Sequence, residues 1–186
     1  HDIDQLLSKY ADHVVDYYDW VKNALDRYEK YMEKHGKEGI AGLTTGIKKL
    51  DELTGGWKPD DLVLVGGRTN EGKSFLGIYF AFVARRALKA ANIDDPVIYI
   101  TTEMPELEVA YRLDTLKAHF SNRALNEGKL PDAEVYREYA EMLSKESNPL
   151  YILSQDANRG NPFTPADIKA IIENERPALI VIDQLY

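Results

Sequence analysis

Residues 67–74 read Gly67-Arg68-Thr69-Asn70-Glu71-Gly72-Lys73-Ser74 and match the phosphate-loop pattern G-x-x-x-x-G-K-[ST]. The preceding run, Leu62-Val63-Leu64-Val65-Gly66, is continuously apolar and predicts a buried strand. Residues 75–91 contain no proline and predict a helix. A strand, a glycine loop and a helix in this order are the context that the motif requires, and the alternative is a chance match at a glycine-rich turn.

The residue types of the loop suit the phosphates of ATP together with Mg²⁺. Two glycines without a Cβ atom let the backbone curl and turn its N–H groups inward, toward the N-terminus of the following helix. Lys73 is expected to reach the β- and γ-phosphates, and the Ser74 hydroxyl is expected to be a Mg²⁺ ligand. The predicted nucleotide-binding residues are Gly67, Arg68, Thr69, Asn70, Glu71, Gly72, Lys73 and Ser74.

The composition excludes several classes of protein. The 186 residues are 44% hydrophobic and 29% charged, which is typical of one globular core plus an appendage. No apolar run approaches the ~20 residues of a membrane span, so we expect no membrane contact. We also expect a cytoplasmic protein, because the absence of cysteine suits a reducing interior. The absence of cysteine excludes disulfides and thiolate metal sites. The net charge of −8 argues against a broad nucleic-acid-binding surface, because such surfaces are usually basic. DNA would therefore be bound by a few local groups or by residues outside this chain.

Apolar residues recur every three or four positions through residues 2–35, in a segment without proline or glycine. This heptad-like spacing predicts a long amphipathic helix. Its wide apolar face fits either an ordinary core helix or a helix that packs against another subunit, and we favour the second. The predicted organisation is a docking helix over 1–36, a connection over 37–42 and an α/β domain over 43–186.

Continuously apolar segments alternate with helical segments through the rest of the chain, which predicts an α/β fold with a mostly parallel sheet covered by helices. Ligands of such sheets lie at the carboxyl ends of the strands. Besides residues 62–66, the predicted strands are Val97–Thr101, Leu150–Leu153 and Ala178–Asp183, and the predicted helices are 47–53, 106–116, 132–145 and 165–174.

Two acids follow predicted strands. Asp183 comes after Leu179-Ile180-Val181-Ile182, the pattern of a strand whose terminal carboxylate orients Mg²⁺, although many strands end in an acid at a solvent edge. Glu103 ends the neighbouring strand and is the candidate general base for the water that attacks the γ-phosphate. The alternative for Glu103 is a solvated acid near the helix start that Pro105 predicts.

These residues resemble the DnaB-type hexameric replicative DNA helicases, which have a RecA-like core. The resemblance covers about residues 42–183 and includes Thr102-Glu103-Met104, similar to the family's Leu-Glu-Met signature, and the turn Asn126–Leu130. It implies that Glu103 is the catalytic base and Lys73 a catalytic cation. It also implies that the helix before Gly36 is the linker helix that docks on a neighbouring subunit of a hexamer. Single-stranded DNA, a primase and a helicase loader are the partners that the resemblance suggests.

The sequence also departs from the family. Asp183-Gln184-Leu185-Tyr186 replaces the usual Asp-Tyr-Leu-Gln, and Asn70-Glu71 replaces small or apolar residues of the loop. Both indicate a divergent member, for which phage origin is a hypothesis. The strand that follows the metal-site strand in RecA-like cores is missing, as are the arginine finger and the DNA-binding loops. We therefore expect the intact protein to continue past Tyr186, and these residues alone to form an incomplete core without ATPase activity.

Three functional hypotheses remain open at this stage. The first is the motor of an ATP-dependent replicative DNA helicase. The second is a RecA-like ATPase that is not a helicase, such as a recombinase or a clock-type or signalling ATPase. The third is a binding module switched by nucleotide.

Overall fold

A computed structural model describes residues 17–35, 40–146, 149–156, 158 and 160–184. The chain divides into two compact units, one over residues 1–41 and one over residues 42–186. Within the described residues we find no helix that is long and apolar enough to cross a bilayer.

In the first unit, the described residues form α1 (Tyr17–Lys22) and α2 (Ala24–His35). The sequence predicts one continuous helix, but a turn at Asn23 separates the two. Asn side chains compete for the hydrogen bonds of the helical backbone, which fits a break at this position. Residues 2–16 of the predicted helix lie outside the described residues. The aromatic side chains of Tyr17 and Tyr28 are exposed.

The second unit contains six helices and three strands among its described residues. In chain order they are α3 (Lys48–Thr54), α4 (Lys73–Ala90), β1 (Val97–Thr101), α5 (Glu106–Ala118), α6 (Asn122–Glu127), α7 (Ala133–Leu143), β2 (Leu150–Ser154), α8 (Pro165–Glu175) and β3 (Leu179–Asp183).

The three strands form one parallel sheet in the order β2-β1-β3. Thr101, Ser154 and Asp183 lie side by side at the carboxyl edge, because each ends its strand in the same register. All five residues of β1 are buried, whereas β2 and β3 are mostly half-buried. The predicted α/β fold with a parallel sheet is confirmed, and its central strand is the apolar one that follows α4.

The core forms where α4 and α5 pack against the sheet. Helix α4 is mostly apolar along its 18 residues and buries several side chains, as expected of a helix enclosed by other elements. The core side chains are Ile78, Ala81, Ala84 and Leu88 of α4, Val97 and Tyr99 of β1, and Val109 of α5.

The prediction of a buried strand over Leu62–Gly66 is wrong for this structure. The segment is not assigned as a strand, and Leu62 and Leu64 are 87% and 80% exposed. A strand needs a neighbour to take its backbone hydrogen bonds, and among the described residues none pairs with this segment. This exposed apolar segment agrees with the expectation of an incomplete core.

Helix termini follow the capping signals of the sequence. Thr164 caps α8 and forms a reciprocal capping box with Asp167, with Pro165 at the first helical position, as predicted. Helix α6 was not predicted, although Ser121 caps its N-terminus and Gly128 ends it in a left-handed conformation. A six-residue helix offers too few turns for a periodic pattern, so these caps were the only local signal.

The segment before the phosphate loop is held by a buried carboxylate. Asp51 of α3 accepts hydrogen bonds from the Thr45 N–H at 2.8 Å, from the Thr45 hydroxyl at 2.6 Å and from the Thr44 hydroxyl at 2.5 Å. Burial opposes ionisation of Asp51, but these bonds outweigh it and hold the pKa of the carboxyl below its ordinary value. Tyr79 of α4 donates to the Gly46 carbonyl at 2.8 Å and so ties the same segment to the core.

Glu146 connects α4 and α5 through three ion pairs. Its carboxylate lies 2.7 Å from Arg85 of α4, 2.7 Å from Lys117 of α5 and 3.4 Å from Lys89, and its side chain is only 19% exposed. Burial alone would raise the pKa of Glu146, but the hydrogen bonds and charges of Lys117 and Arg85 outweigh burial and hold it at about 2, compared with 4.5 ordinarily.

We expect Glu146→Gln to lower the free energy of unfolding by about 3 kcal/mol at neutral pH, the size that follows from the pKa difference between 4.5 and about 2. A lowered folded-state pKa stabilises the protein above pH 4.5, and this contribution is lost as the pH falls toward 2. The difference between wild type and variant should therefore shrink as the pH falls through this window, measured by urea unfolding.

Glu134→Gln is the matched control. Glu134 pairs with Arg137 at 2.6 Å, but the side chains are 62% and 65% exposed, so the expected loss is below about 1 kcal/mol. Two results would contradict this prediction. They are an equal loss of unfolding free energy in the two variants, and a loss for Glu146→Gln that does not change with pH.

Candidate functional site

The phosphate loop opens helix α4 as the motif predicts. Asn70 and Gly72 have positive φ angles of 64° and 83°, and Gly72 occupies the position before the first helical residue, Lys73. A residue with a Cβ would be strained at the φ of Gly72. No side chain caps this helix end, and its first turn contains no acid. The N–H groups at the start of α4 are thus available to an anion.

Two charged side chains of the loop bond to its own backbone. The Lys73 ammonium donates to the carbonyls of Gly67 and Arg68 at 3.0 Å and 2.9 Å. The Glu71 carboxylate accepts a hydrogen bond from the Arg68 N–H at 2.8 Å. The Glu71 carboxylate therefore bonds to the first half of the loop. The helix N-terminus, which suits phosphate, lies in the second half.

Both predicted acids emerge at the carboxyl edge of the sheet. Asp183 is the last residue of β3, and the Thr102 N–H donates to the Asp183 carbonyl at 2.8 Å, which carries the pairing of β1 and β3 beyond the end of β1. Glu103 follows directly and is exposed. The side-chain amide of Gln184 donates a hydrogen bond to the Glu103 carboxylate. The structure thus brings Glu103, two residues beyond the end of β1, near Asp183 at the end of the adjacent strand β3.

A tyrosine connects this edge to the loop. The Tyr99 hydroxyl lies 2.7 Å from Oδ2 of Asp183 and 3.4 Å from the carbonyl oxygen of Ser74. Burial raises the pKa of Tyr99, and the Asp183 carboxylate raises it further. Sequence reasoning missed Tyr99. The only indication in the sequence was a hydroxyl-bearing side chain in an otherwise apolar strand, two residues before Thr101.

The chemistry of the side chains fits a hard cation held jointly with phosphate. The Ser74 hydroxyl and the Asp183 carboxylate are oxygen donors, which Mg²⁺ prefers. Among the described residues, no group of three or more His, Cys, Asp or Glu side chains could hold a metal by itself.

Two open cavities border the exposed apolar segment 62–66. One, of about 400 Å³, is lined by Val65 to Gly67, by the loop and by the first turns of α4. The other, of about 610 Å³, is lined by residues 61–66 and by apolar side chains of α3 and α4. Neither is lined by Ser74, Glu103 or Asp183, so we locate the candidate site from the loop and the strand ends.

A parallel sheet with acids at its carboxyl edge, and a glycine loop that opens a core helix beside it, together define an α/β phosphate-loop protein. Comparison with protein families is more specific, because the model of the DnaB-like helicase C terminal domain matches residues 42–186. The chain therefore belongs to the DnaB-like helicase C-terminal domain family.

Among curated proteins, the chain is similar to the replicative DNA helicase DnaB of Pasteurella multocida, with 25% identity over 170 residues, or 89% of this chain and 35% of the relative. It is also similar to the replicative DNA helicase DnaB of Mycoplasma genitalium, with 34% identity over 95 residues, or 51% of this chain and 20% of the relative. The chain thus spans about a third of the length of the relatives that it matches over most of its own length.

Proposed function

We propose that this chain is the nucleotide-binding part of an ATP-driven motor that translocates on single-stranded DNA and unwinds the duplex at a replication fork. The observation that carries the proposal is the placement of Glu103 and Asp183 on adjacent strand ends, with Tyr99 linking Asp183 to the phosphate loop. Family membership supports it, because the relatives are named as replicative DNA helicases.

The loop and the start of α4 bind the phosphates of ATP in this proposal. Lys73 exchanges the carbonyls of Gly67 and Arg68 for phosphate oxygens, and the N–H groups after Gly72 face the same charge. Ser74 and Asp183 would hold Mg²⁺, and the ion would supply positive charge that offsets the charge of the phosphates. These groups stabilise the negative charge of the transferring phosphoryl group.

Glu103 accepts the proton of the attacking water. Glu103 lies two residues beyond the end of β1, which pairs with the strand of Asp183, so its carboxylate is near the predicted metal position and the Gln184 amide orients it. Because Glu103 is exposed, water reaches it without rearrangement of the core. We give Gln184 this orienting contact only, and no role as a sensor of the γ-phosphate.

Assembly into a homohexamer is part of the proposal. An arginine from a neighbouring subunit would complete the site, as in other phosphate-loop enzymes that receive an arginine finger in trans. The exposed aromatic side chains of α1 and α2, such as Tyr17 and Tyr28, suit a linker helix that docks on that neighbour. Replication in a bacterial or phage-infected cell places the protein in the cytoplasm, with a primase and a loader as candidate partners.

The experiment that tests this function is ATP hydrolysis by the full-length protein that contains this chain, with and without single-stranded DNA. We expect DNA to raise the rate severalfold, and duplex unwinding to require hydrolysable ATP. A rate that does not respond to DNA would favour a RecA-like ATPase that is not a helicase. Nucleotide binding without any hydrolysis would favour a switched binding module.

A further inference from the structure

The central strand buries a side chain that the proposed reaction does not require. Tyr99 lies in the middle of β1 and is 1% exposed. Its ring packs where α4 comes close to the sheet, because a Cβ atom added at Gly77 would lie 3.5 Å from Cε2 of Tyr99 and 3.2 Å from Cγ1 of Val181. A tyrosine on this strand therefore directs its hydroxyl along the interface between the sheet and the first turns of α4.

The register of the sheet determines which group accepts the hydrogen bond of the Tyr99 hydroxyl. Tyr99 pairs with Val181, so Asp183 lies two residues farther along β3 on the same face. The phenol has a single proton, and it donates that proton to Oδ2 of Asp183 at 2.7 Å. The Ser74 carbonyl, at 3.4 Å, is a much weaker acceptor.

We propose that Tyr99 is a positioning residue for the metal site: its hydroxyl holds one carboxylate oxygen of Asp183 beside Ser74 and leaves the other oxygen for the hydration shell of Mg²⁺. The proposal rests on the proposed function only in that this site binds Mg²⁺ with a nucleotide. A carboxylate that ends a half-buried strand has several accessible rotamers, and a hydrogen bond from a rigid, buried ring selects one of them.

The competing explanation is that Tyr99 only fills the core. In that case a phenylalanine ring would serve equally, and the hydroxyl would bond to Asp183 because that is the nearest acceptor. The two explanations differ in one measurable quantity, the factor by which Mg²⁺ strengthens ADP binding. Only a positioning role predicts that loss of the hydroxyl reduces this factor while metal-free binding stays unchanged.

The test is titration of a fluorescent ADP into the full-length protein, with Mg²⁺ and with EDTA, for wild type and Tyr99→Phe. We expect Tyr99→Phe to lower the Mg²⁺ enhancement about tenfold, the lower end of what removal of a partner of a metal ligand costs. Its Kd for ADP in EDTA should equal that of wild type. Tyr79→Phe is the matched control, because it also removes one tyrosine hydroxyl, but that hydroxyl belongs to α4 and bonds to Gly46 instead of Asp183.

A double-mutant cycle with Asp183→Asn adds a second criterion. Once Asp183→Asn has weakened the metal site, Tyr99→Phe should cause little further loss of Mg²⁺ enhancement, whereas independent effects would multiply. Far-UV circular dichroism of each variant verifies the fold.

Three results overturn the proposal. They are an unchanged Mg²⁺ enhancement in Tyr99→Phe, an equal loss of ADP affinity with and without Mg²⁺, and independent effects in the cycle. These results leave the proposed motor function intact. Wild-type protein that binds no ADP would instead contradict both proposals.

Discussion

Glu103→Gln is expected to lower DNA-stimulated ATP hydrolysis by about 10²–10⁴-fold, the usual contribution of a general base. The amide cannot accept the proton of the attacking water, yet it has nearly the size of the carboxylate and keeps an oxygen for the hydrogen bond from Gln184. ATP binding should therefore remain within about twofold of wild type. Single-turnover hydrolysis, together with a separate Kd for ATP, distinguishes the two effects.

Glu106→Gln is the control for this experiment. Glu106 lies three residues farther along, in the first turn of α5, and accepts a hydrogen bond from Ser154 at the same edge of the sheet. Its substitution removes a carboxylate near the site but not the proposed base, so hydrolysis should change by no more than about threefold. A Glu103→Gln variant that keeps a tenth or more of the wild-type rate would mean that another group accepts the proton.

Lys73→Ala is expected to abolish tight ATP binding and to lower hydrolysis by at least about 10²-fold. The Lys73 ammonium bonds to two carbonyls of the loop, so its removal leaves the loop with one positive charge fewer. The phosphates would then lose the loop ammonium that offsets their negative charge. Equilibrium binding of a fluorescent ATP analogue measures the loss directly.

Lys89→Ala provides the comparison on the same helix. Lys89 lies in the last turn of α4, and its partly exposed ammonium is 3.4 Å from Glu146, away from the loop. We expect its Kd for ATP to equal that of wild type. A Lys73→Ala variant that binds ATP as tightly as Lys89→Ala would contradict the assignment of the phosphate loop.

Local patterns predicted most elements of the α/β unit. The apolar run of β1 and the capping signals of α8 are short-range signals, and the structure confirms both. The glycine pattern placed a loop at the start of α4 for the same reason, because the positive φ of Gly72 is a property of one residue. The acids at the strand ends were predictable once the strands were assumed parallel, since the carboxyl ends of parallel strands share an edge.

Features that depend on a partner distant in sequence were not predictable. The apolar segment 62–66 has the composition of a buried strand, yet it is exposed, because strand formation requires a neighbour to take its hydrogen bonds. The link from Tyr99 to Asp183 is of the same kind. It depends on the register of β1 against β3, which brings together residues that are 84 positions apart in the chain.

The amino-acid sequence therefore specified the phosphate loop, the helix that it opens and the two acids, because glycine conformations, caps and apolar periodicity act over a few residues. Tertiary structure specified which strands pair, which oxygen of Asp183 accepts the hydrogen bond of Tyr99 and which cations form ion pairs with Glu146. These outcomes depend on sheet register and on the packing of α4 against β1 and β3, so they exist only in the folded chain.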